Sequence, residues 1–393
     1  MNHKESMLAA IRGELLPMIP YAPRMDLWYN SRRRLGTLPK KYKDATLEQI
    51  LDDNDLAHHI VIPHLKELRS ESDDIDRGLG FYNISTMPYQ TILENVGRKV
   101  SIEGDATIVN YETPFGTVTT KVVYDDAMKD SGASITHIAR HAFQSPSDYK
   151  TLAYIFRNAR VEKTYQQYTS YAENIGGRGL CVVYVNFVAS PVQYIMRDLM
   201  KYETFVFEMN DHPDEFQELT DGIADYFNRL LDACLDCPGE VFFLGSNYDS
   251  SIHYPRFFRK HLLPTLKDFS KKLHDRGKFL LTHTDGENKG LLDLYIDAGI
   301  DVADSVCPKP MTSLTYREHH VAFKDRITIL GGIPSIALLN EVFSDAQFDS
   351  FLDGFFDELG DGRRAILGIS DTTPPGADLE RILHIKRRIL KLK

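Results

Sequence analysis

The sequence predicts an α/β protein built as a (β/α)8 TIM-type barrel, with an N-terminal helical extension and a small antiparallel β-hairpin insertion. The main observation is a repeated unit after Ser145, in which a short apolar run ends in small or polar residues and precedes an amphipathic stretch. The runs lack apolar–polar alternation, which indicates strands of a parallel sheet buried on both faces. No G-x-G-x-x-G follows any of them, which disfavours an open doubly wound sheet. The predicted strands are residues 180–186, 241–248, 279–283, 302–306, 327–332 and 365–369.

Amphipathic segments follow these strands and predict the connecting helices, because their apolar residues recur every three or four positions. A strand that is regularly followed by such a segment is one βα unit of a barrel. The predicted helices are residues 190–200, 214–234, 256–276, 290–298, 336–343 and 345–359.

The beginning of the chain departs from this pattern. Residues 1–75 are polar and mostly helical in pattern, and they surround the proline-bounded apolar run 19–24, which is the predicted first barrel strand. An eight-stranded barrel needs one further strand, which the sequence does not locate. Residues 99–126 alternate apolar and polar positions around a turn at 113–116, and therefore predict the β-hairpin insertion. Residues 1–393 are predicted to form a single barrel domain.

Composition excludes several classes of protein. The 393 residues include 46 Lys and Arg against 56 Asp and Glu, and 42% are hydrophobic, which excludes a disordered or collagen-like chain. The formal net charge of −10 argues against nucleic acid as a partner. Neither a secretory signal nor an apolar run of about 18 residues is visible, so no membrane partner is expected. Four scattered cysteines suit a reducing compartment, and the expected location is the cytoplasm.

Candidate metal ligands follow the predicted strands, where the reacting groups of βα barrels lie. His283 and Asp285 are two residues apart at one strand end, Asp371 lies in the last loop, and Cys307 follows another strand. An imidazole with carboxylates is a usable set for Zn²⁺ or another divalent ion. The alternative is structural, with a hydrogen-bonded interior histidine, aspartates that cap turns and helices, and a buried thiol.

Other strand ends supply candidate catalytic and substrate-binding residues. Tyr248 and Asp249 follow one predicted strand and are candidate catalytic groups together with His283. The aromatic stretch 25–30 follows the first predicted strand and predicts either core packing or one wall of a pocket for a flat ligand. The candidate substrate-binding residues are Met25, Trp28, Tyr29 and Asn186.

Two further patterns are interpreted as structural. Cys234 and Cys237 have C-x-x-C spacing, but no second ligand pair is present and they close a long amphipathic helix. The histidine pairs at 58–59 and 319–320 lie in polar, helical sequence and are interpreted as surface residues.

Several segments together resemble the uroporphyrinogen decarboxylase superfamily, whose decarboxylases and corrinoid-linked methyltransferases share one βα barrel. They are Arg-Gly-Glu at 12–14, His-Thr-Asp-Gly at 283–286, Gly-Gly-Ile-Pro at 331–334 and Gly-Ile-Ser-Asp-Thr-Thr-Pro-Pro at 368–375. The decarboxylases carry a paired-arginine loop after the first strand, whereas residues 25–36 place an acid and aromatics there. This departure disfavours action on a tetrapyrrole.

The resemblance is closest to methyltransferase I of anaerobic O-demethylase systems. Zinc methyltransferases of the superfamily that act on thiols use His-x-Cys and a last-loop Cys, where this chain has His283, Asp285 and Asp371. The resemblance therefore implies transfer of a methyl group from an O-methyl donor, such as a methoxyaromatic, to Co(I) of a separate corrinoid protein. Zinc would hold the donor oxygen, and Tyr248 or a neighbouring acid would protonate it.

The implied partners are a small-molecule methyl donor and a corrinoid protein that carries the cobalamin, since the chain has no D-x-H-x-x-G motif. A homodimer is also expected, because this is the commonest assembly. Two alternatives stay open at this point. One is a lyase that decarboxylates a tetrapyrrole or related acid, and the other is a barrel that only binds a ligand or partner.

Overall fold

The structure is a computed structural model that describes residues 1–61, 63 and 74–392. Part of the predicted helical region 1–75 therefore lies outside the described residues. The strands are β1 His58–Ile60, β2 Tyr89–Leu93, β3 Gly97–Glu103, β4 Ala106–Thr113, β5 Gly116–Val123, β6 His137–Arg140, β7 Ala159–Lys163, β8 Gly179–Cys181, β9 Val183–Asn186, β10 Val241–Ser246, β11 Phe279–His283, β12 Val302–Val306, β13 Thr328–Pro334 and β14 Ala365–Ser370.

Helices connect and surround these strands, and short 3-10 segments add to the connections. The helices are α1 His3–Ile11, α2 Asp26–Arg34, α3 Leu47–Asp53, α4 Asp126–Asp130, α5 Tyr149–Arg157, α6 Tyr165–Ile175, α7 Pro191–Tyr194, α8 Tyr202–Asp211, α9 Pro213–Cys234, α10 Pro255–His261, α11 Leu263–His274, α12 Leu292–Asp297, α13 Tyr316–Ala322, α14 Asp345–Leu359 and α15 Leu379–Ile389. The 3-10 segments are Lys40–Tyr42, Ile75–Leu79, Pro146–Asp148, Gly176–Arg178 and Ser335–Leu338, and a π-helical turn covers Ile195–Leu199.

Six strands, β9 to β14, form one parallel sheet in chain order. Their residues are buried along almost their whole length, which explains why the sequence shows apolar runs without alternation. All six correspond to predicted strands. The fold is a barrel, as predicted.

Hydrogen bonds from the N-terminal part of the chain close the ring. Tyr21 forms a parallel bridge to Leu367 of β14, and the Ala22 amide donates to the Leu367 carbonyl at 2.8 Å. On its other side, the Tyr21 carbonyl accepts from the Ala57 amide at 3.1 Å, next to β1. Strand β1 then pairs with β8, which leads into β9. The predicted first strand is thus a short bridge, and β1 is the strand that the sequence did not locate.

Two predicted helices differ from the structure. The predicted helix 256–276 is divided into α10 and α11 at Leu262, because Pro264 at the start of α11 lacks the amide needed to continue a helix. The predicted helix 336–343 contains only the 3-10 turn Ser335–Leu338, since Leu339 already has an extended backbone.

The predicted hairpin segment lies in a second sheet that packs beside the barrel. Strands β3, β4, β5 and β6 form this four-stranded antiparallel sheet, and β2 pairs with β7 in a separate antiparallel ribbon. Residues 99–126 therefore contribute most of three strands. Within the described residues, no helix is long and apolar enough to cross a membrane.

The core lies between the barrel and its helices. In α9 the side chains of Leu219, Ile223 and Leu230 are completely buried, which follows from their spacing on one helix face. Burial of one such side chain stabilises the fold by about 1.5–3 kcal/mol. Cys234 and Cys237 are also buried, as free thiols.

The histidine pairs correct the sequence interpretation. His58 and His59 form most of β1 rather than a surface helix, and His58 is 1% exposed. His319 lies in α13 and is also 1% exposed. The error has a physical cause: a three-residue strand gives too little periodicity to be distinguished from polar helix sequence.

Candidate active site

The candidate site lies where the carboxyl ends of the barrel strands meet. His283 is the last residue of β11, Asp304 lies in β12, and Asp371 directly follows β14. Arg24 follows the first barrel segment, which pairs with β14. Parallel strands place all of these side chains at one end of the ring, although they are separated by hundreds of residues in the chain.

The imidazole of His283 is held between two carboxylates. Its Nδ1 lies 2.6 Å from Oδ2 of Asp304, and its Nε2 lies 3.2 Å from Oδ1 of Asp371. The other oxygen of Asp304 lies 3.3 Å from Nε2 of His59. The side chains of His283 and Asp304 are only 7% and 2% exposed, so solvent does little to weaken their attraction.

The charges of these groups support one another. Burial disfavours the cation of His283, but the hydrogen bonds and charges of Asp304 and Asp371 outweigh it and raise the pKa to about 10. Burial alone would raise the pKa of Asp304, yet His283 and His59 hold that pKa well below its usual range. The two carboxylates therefore favour the imidazolium form of His283 at neutral pH.

Arg24 fixes the carboxylate of Asp371 from the other side. Its Nη1 donates to Oδ1 of Asp371 at 2.7 Å, while Nε and Nη2 donate to the two oxygens of Asp26 at 3.0 and 3.2 Å. The paired contact fits the planar fork of a guanidinium. Burial raises the pKa of Asp371, but His283 and Arg24 outweigh it and hold that pKa well below its usual range.

Among the described residues, His283, Asp285 and Asp371 form a group that could hold a metal ion, since one ligand atom from each lies within 4.8 Å of the others. Burial and the nearby charge of Asp371 raise the pKa of Asp285, while the charge of His283 acts in the opposite direction. The donor set suits a divalent cation. The hydrogen bond from Nδ1 to Asp304 fits this role, because metal-binding imidazoles commonly donate their second nitrogen to a carboxylate.

Cys307 lies near this group without joining it. The thiol is 2% exposed, and its sulfur contacts Sδ of Met311 at 3.6 Å. Burial and the charges of Asp285 and Asp371 raise the pKa of Cys307 to about 12. Among the described residues, the group whose ligand atoms converge is His283, Asp285 and Asp371, so the structure does not add the predicted ligand Cys307 to it.

Tyr248 and Asp249, the other predicted catalytic residues, form hydrogen bonds within the protein. Tyr248 is completely buried, and its hydroxyl accepts a hydrogen bond from Thr282 at 3.1 Å. The carboxylate of Asp249 accepts from the amides of Ser251 at 2.8 Å and Glu287 at 3.1 Å, so it organises a turn. Tyr248 is thus enclosed in the core, whereas Asp249 is partly exposed and holds a loop in place. Their catalytic roles stay predictions.

The four predicted substrate-binding residues are all buried in the structure. Trp28 is completely buried and donates from Nε1 to the carbonyl of Ala377 at 2.9 Å, and the Tyr29 hydroxyl donates to the Ala45 carbonyl at 3.0 Å. The remaining two, Met25 and Asn186, are 2% and 1% exposed. Of the two readings of the aromatic stretch, core packing is the one that the structure shows.

Sequence reasoning missed three residues of the site, Arg24, His59 and Asp304. Asp304 could have been predicted from the sequence, because it is the only charged residue in the predicted strand 302–306. A charged residue in such a strand is rarely buried without a partner. Arg24 stands at the end of the predicted first strand, but its partner Asp371 is 347 residues away. His59 was not predicted because β1 has only three residues, too few to show the periodicity of a strand.

Comparisons with known proteins agree with this architecture. Residues 128–387 match the family uroporphyrinogen decarboxylase (URO-D), and this match includes His283, Asp285, Asp304 and Asp371. The chain therefore belongs to the uroporphyrinogen decarboxylase family. In this member, a histidine flanked by acids lies at the carboxyl end of the barrel strands.

A solved structure shares the whole fold. A methyltransferase from Methanosarcina mazei is 13% identical, with a TM-score of 0.54, and the alignment covers 100% of this chain and 99% of the other. At that identity the likeness concerns the fold. None of the curated proteins matches the chain.

Proposed function

We propose that the protein is a methyltransferase that moves a methyl group from an O-methyl donor, a methoxyaromatic compound, to Co(I) of a separate corrinoid protein. The observation that carries the proposal is the convergence of His283, Asp285 and Asp371 at the open end of the barrel. Family membership and the shared fold with a methyltransferase support it. Carboxylates where related thiol methyltransferases use cysteines suit an oxygen-containing donor, since harder ligands leave a metal more strongly Lewis acidic.

Zinc is the proposed metal, and His283, Asp285 and Asp371 would hold it. When bound there, the ion would polarise the ether oxygen and so improve a poor leaving group. The surrounding residues prepare this set. Asp304 accepts from Nδ1 of His283, which leaves Nε2 directed toward the carboxylates, and Arg24 fixes the position of Asp371.

The corrinoid is proposed to arrive on a partner protein. The chain contains no D-x-H-x-x-G cobalamin motif. The candidate site faces the end of the barrel where the βα loops lie, and a partner bound over that end would bring cobalt to the methyl group.

The family name raises a second function, decarboxylation of a tetrapyrrole, and the charges of the site disfavour it. Four carboxylates, those of Asp26, Asp285, Asp304 and Asp371, stand against the two cations Arg24 and His283. The guanidinium of Arg24 is already bound by Asp26 and Asp371. A polyanionic substrate would therefore meet a group of carboxylates around His283, where the guanidinium of Arg24 is already paired.

Methyl transfer can be tested directly. The purified protein is mixed with its reduced corrinoid partner and a panel of methoxyaromatic compounds, and methyl-cobalt absorbance is followed. We expect transfer from at least one donor and a loss of at least 100-fold in His283→Ala, since polarisation by a metal supplies several kcal/mol. Release of CO₂ from uroporphyrinogen by the protein alone, with no methyl transfer, would contradict the proposal.

Metal content provides an independent test. We expect about one zinc per chain, since the group offers one set of ligands, and its loss in His283→Ala and Asp371→Ala. Asp378→Ala is the matched control, because Asp378 caps α15 and belongs to the connection that follows β14. The control should lose about 1 kcal/mol of stability and keep its zinc. Zinc retained by Asp371→Ala would exclude this ligand set.

A further inference from the structure

A second polar cluster lies at the same end of the barrel and centres on Arg197. Phe187 follows the carboxyl end of β9, and the guanidinium carbon of Arg197 lies 4.6 Å from the centre of its ring. Arg197 belongs to the π-helical turn Ile195–Leu199. π-Helical turns are rare in proteins, and those that occur often lie at functional sites, because the extra residue redirects side chains.

Only part of the Arg197 guanidinium is used within the protein. Nη1 donates to both oxygens of Asp198, at 3.0 and 3.2 Å, and lies 3.4 Å from the hydroxyl of Tyr82. Nε and Nη2 donate to no residue in the described part of the chain. The side chain is 25% exposed. Phe187 and Asp198 hold the guanidinium of Arg197 in place. Its Nε and Nη2 groups are thus available to donate to a ligand.

A second guanidinium supports the first. Arg77 lies in the segment Ile75–Leu79, which packs against the π-helical turn. Its side chain is 1% exposed and pairs with Asp74 through Nη2, while Nε and Nη1 have no partner among the described residues. Buried donors without acceptors are costly, so the pairing with Asp74 leaves part of the Arg77 guanidinium unsatisfied.

Tyr82 connects the two arginines. Burial raises the pKa of Tyr82, and the charges of both Arg197 and Arg77 act against this rise. Its ring packs edge to face on Phe187, with centres 5.3 Å apart. Tyr82 therefore lies beside Arg197 and Phe187, and the charge of Arg77 also acts on its hydroxyl.

An aromatic surface extends from this cluster toward His283. The ring of Tyr184 in β9 stacks on Phe243 of β10 at 5.0 Å, and Phe243 is in register with Leu281 of β11. Leu281 and His283 are two residues apart, so they share one face of β11. Since neighbouring strands are about 4.8 Å apart, β9 and β11 are separated by about 10 Å, comparable to the length of a substituted benzene ring.

We propose that Arg197, supported by Arg77, binds the carboxylate of an aromatic acid whose ring lies along Phe187 and Tyr184. The fork of a guanidinium matches a carboxylate, and the aromatic rings match a flat apolar body. Combined with the proposed function, on which this last step rests, the methyl donor carries a carboxylate at one end and its methoxy group at the end near His283.

Binding can be measured by calorimetry without the corrinoid partner. The probes are 4-methoxybenzoate and the neutral 4-methoxybenzamide, which share ring and ether. We expect the wild-type protein to bind the acid at least tenfold more tightly than the amide. Equal affinities would overturn the proposal, whatever the behaviour of any variant.

The role of Arg197 in binding the carboxylate is tested by the double substitution Arg197→Gln with Asp198→Asn. This change removes the ion pair without leaving one charge buried alone. We expect it to bind the two probes equally, while the amide binds as it does to the wild-type protein. Arg160→Gln is the control, since Arg160 pairs with Glu94 and Glu162 on the surface. An unchanged preference for the acid in the folded double variant would exclude Arg197.

The two proposals fail in different ways. Tight acid binding without any methyl transfer would leave the carboxylate site in place and reject the proposed function. Methyl transfer from neutral donors, with no preference for acids in binding, would support the function and reject the carboxylate site.

Discussion

Asp304 shows how much of the site depends on a residue that a ligand does not need to touch. The carboxylate is 1% exposed and joins the imidazoles of His283 and His59 through its two oxygens. Removing one member of such a buried group leaves the charges of the others uncompensated. The resulting loss of stability is larger than the net stabilisation from the intact group.

The substitution Asp304→Asn tests this positioning role. The amide keeps the shape of the side chain but removes the charge that faces Nδ1 of His283, so we expect zinc affinity to fall by about 10- to 100-fold. Affinity is measured by competition with a chromophoric chelator, and folding by circular dichroism.

Asp301→Asn is a matched control for this experiment. Asp301 also pairs with a histidine, His274, at 2.8 Å, but that histidine is 42% exposed and lies at the opposite end of β12. The Asp301→Asn variant should bind zinc with the same affinity as the wild-type protein. Equal losses in the two variants would mean that Asp304 has no specific effect on the metal group.

At the level of elements, the connection from β10 to α10 places a histidine in the core. His253 is 3% exposed, and its Nε2 lies 3.3 Å from Nε2 of Gln193, which belongs to α7. Burial lowers its pKa to about 4, although the carboxylate of Asp249 acts in the opposite direction. Protonation of this imidazole therefore destabilises the folded protein.

This burial makes stability depend on pH. The native pKa of about 4 lies below the ordinary value of about 6.5, so the unfolded chain binds a proton that the native chain does not. The free energy of unfolding should therefore fall as the pH falls from 6.5 to 4, by about 2 kcal/mol at pH 5 from this group.

Urea unfolding at pH 7 and pH 5 measures this contribution. In His253→Gln the loss between the two pH values should be about 2 kcal/mol smaller than in the wild-type protein. His320→Gln is the control, because His320 is partly exposed and hydrogen-bonds only to the Arg363 carbonyl in the described part of the chain. Identical pH dependence in all three proteins would contradict the assignment.

For the whole molecule, closure of the barrel and assembly of the site are one event. The chain near Ala22 pairs with β14, and the two segments lead directly to Arg24 and Asp371. Gly368 lies at this junction, where an added Cβ would come within 2.9 Å of the Ala22 carbonyl oxygen. The close approach of the two strands therefore requires a residue without a side chain.

The substitution Gly368→Ala should separate the first and last strands. We expect it to lower the free energy of unfolding by about 1–3 kcal/mol, as overpacking does, and to weaken zinc binding because Arg24 and Asp371 move apart. Gly354→Ala is the control, since nothing lies within 4 Å of its added Cβ in α14. The control should gain up to about 1 kcal/mol. A Gly368→Ala protein as stable as the wild type would show that closure tolerates a side chain there.

The sequence by itself determined the barrel and half of the site. Six strands were visible because each is buried on both faces, and His283, Asp285 and Asp371 were visible because polar residues at the ends of apolar strands have few structural reasons to be there.

The tertiary structure decided the remainder. It chose core packing for Trp28, because the indole has a backbone acceptor in Ala377, and it brought Asp304 and Arg24 to the imidazole and the last-loop carboxylate. These contacts join segments that are 21 to 349 residues apart. Local patterns report which face of an element is buried, whereas the partner of a buried charge depends on how the ring of strands closes.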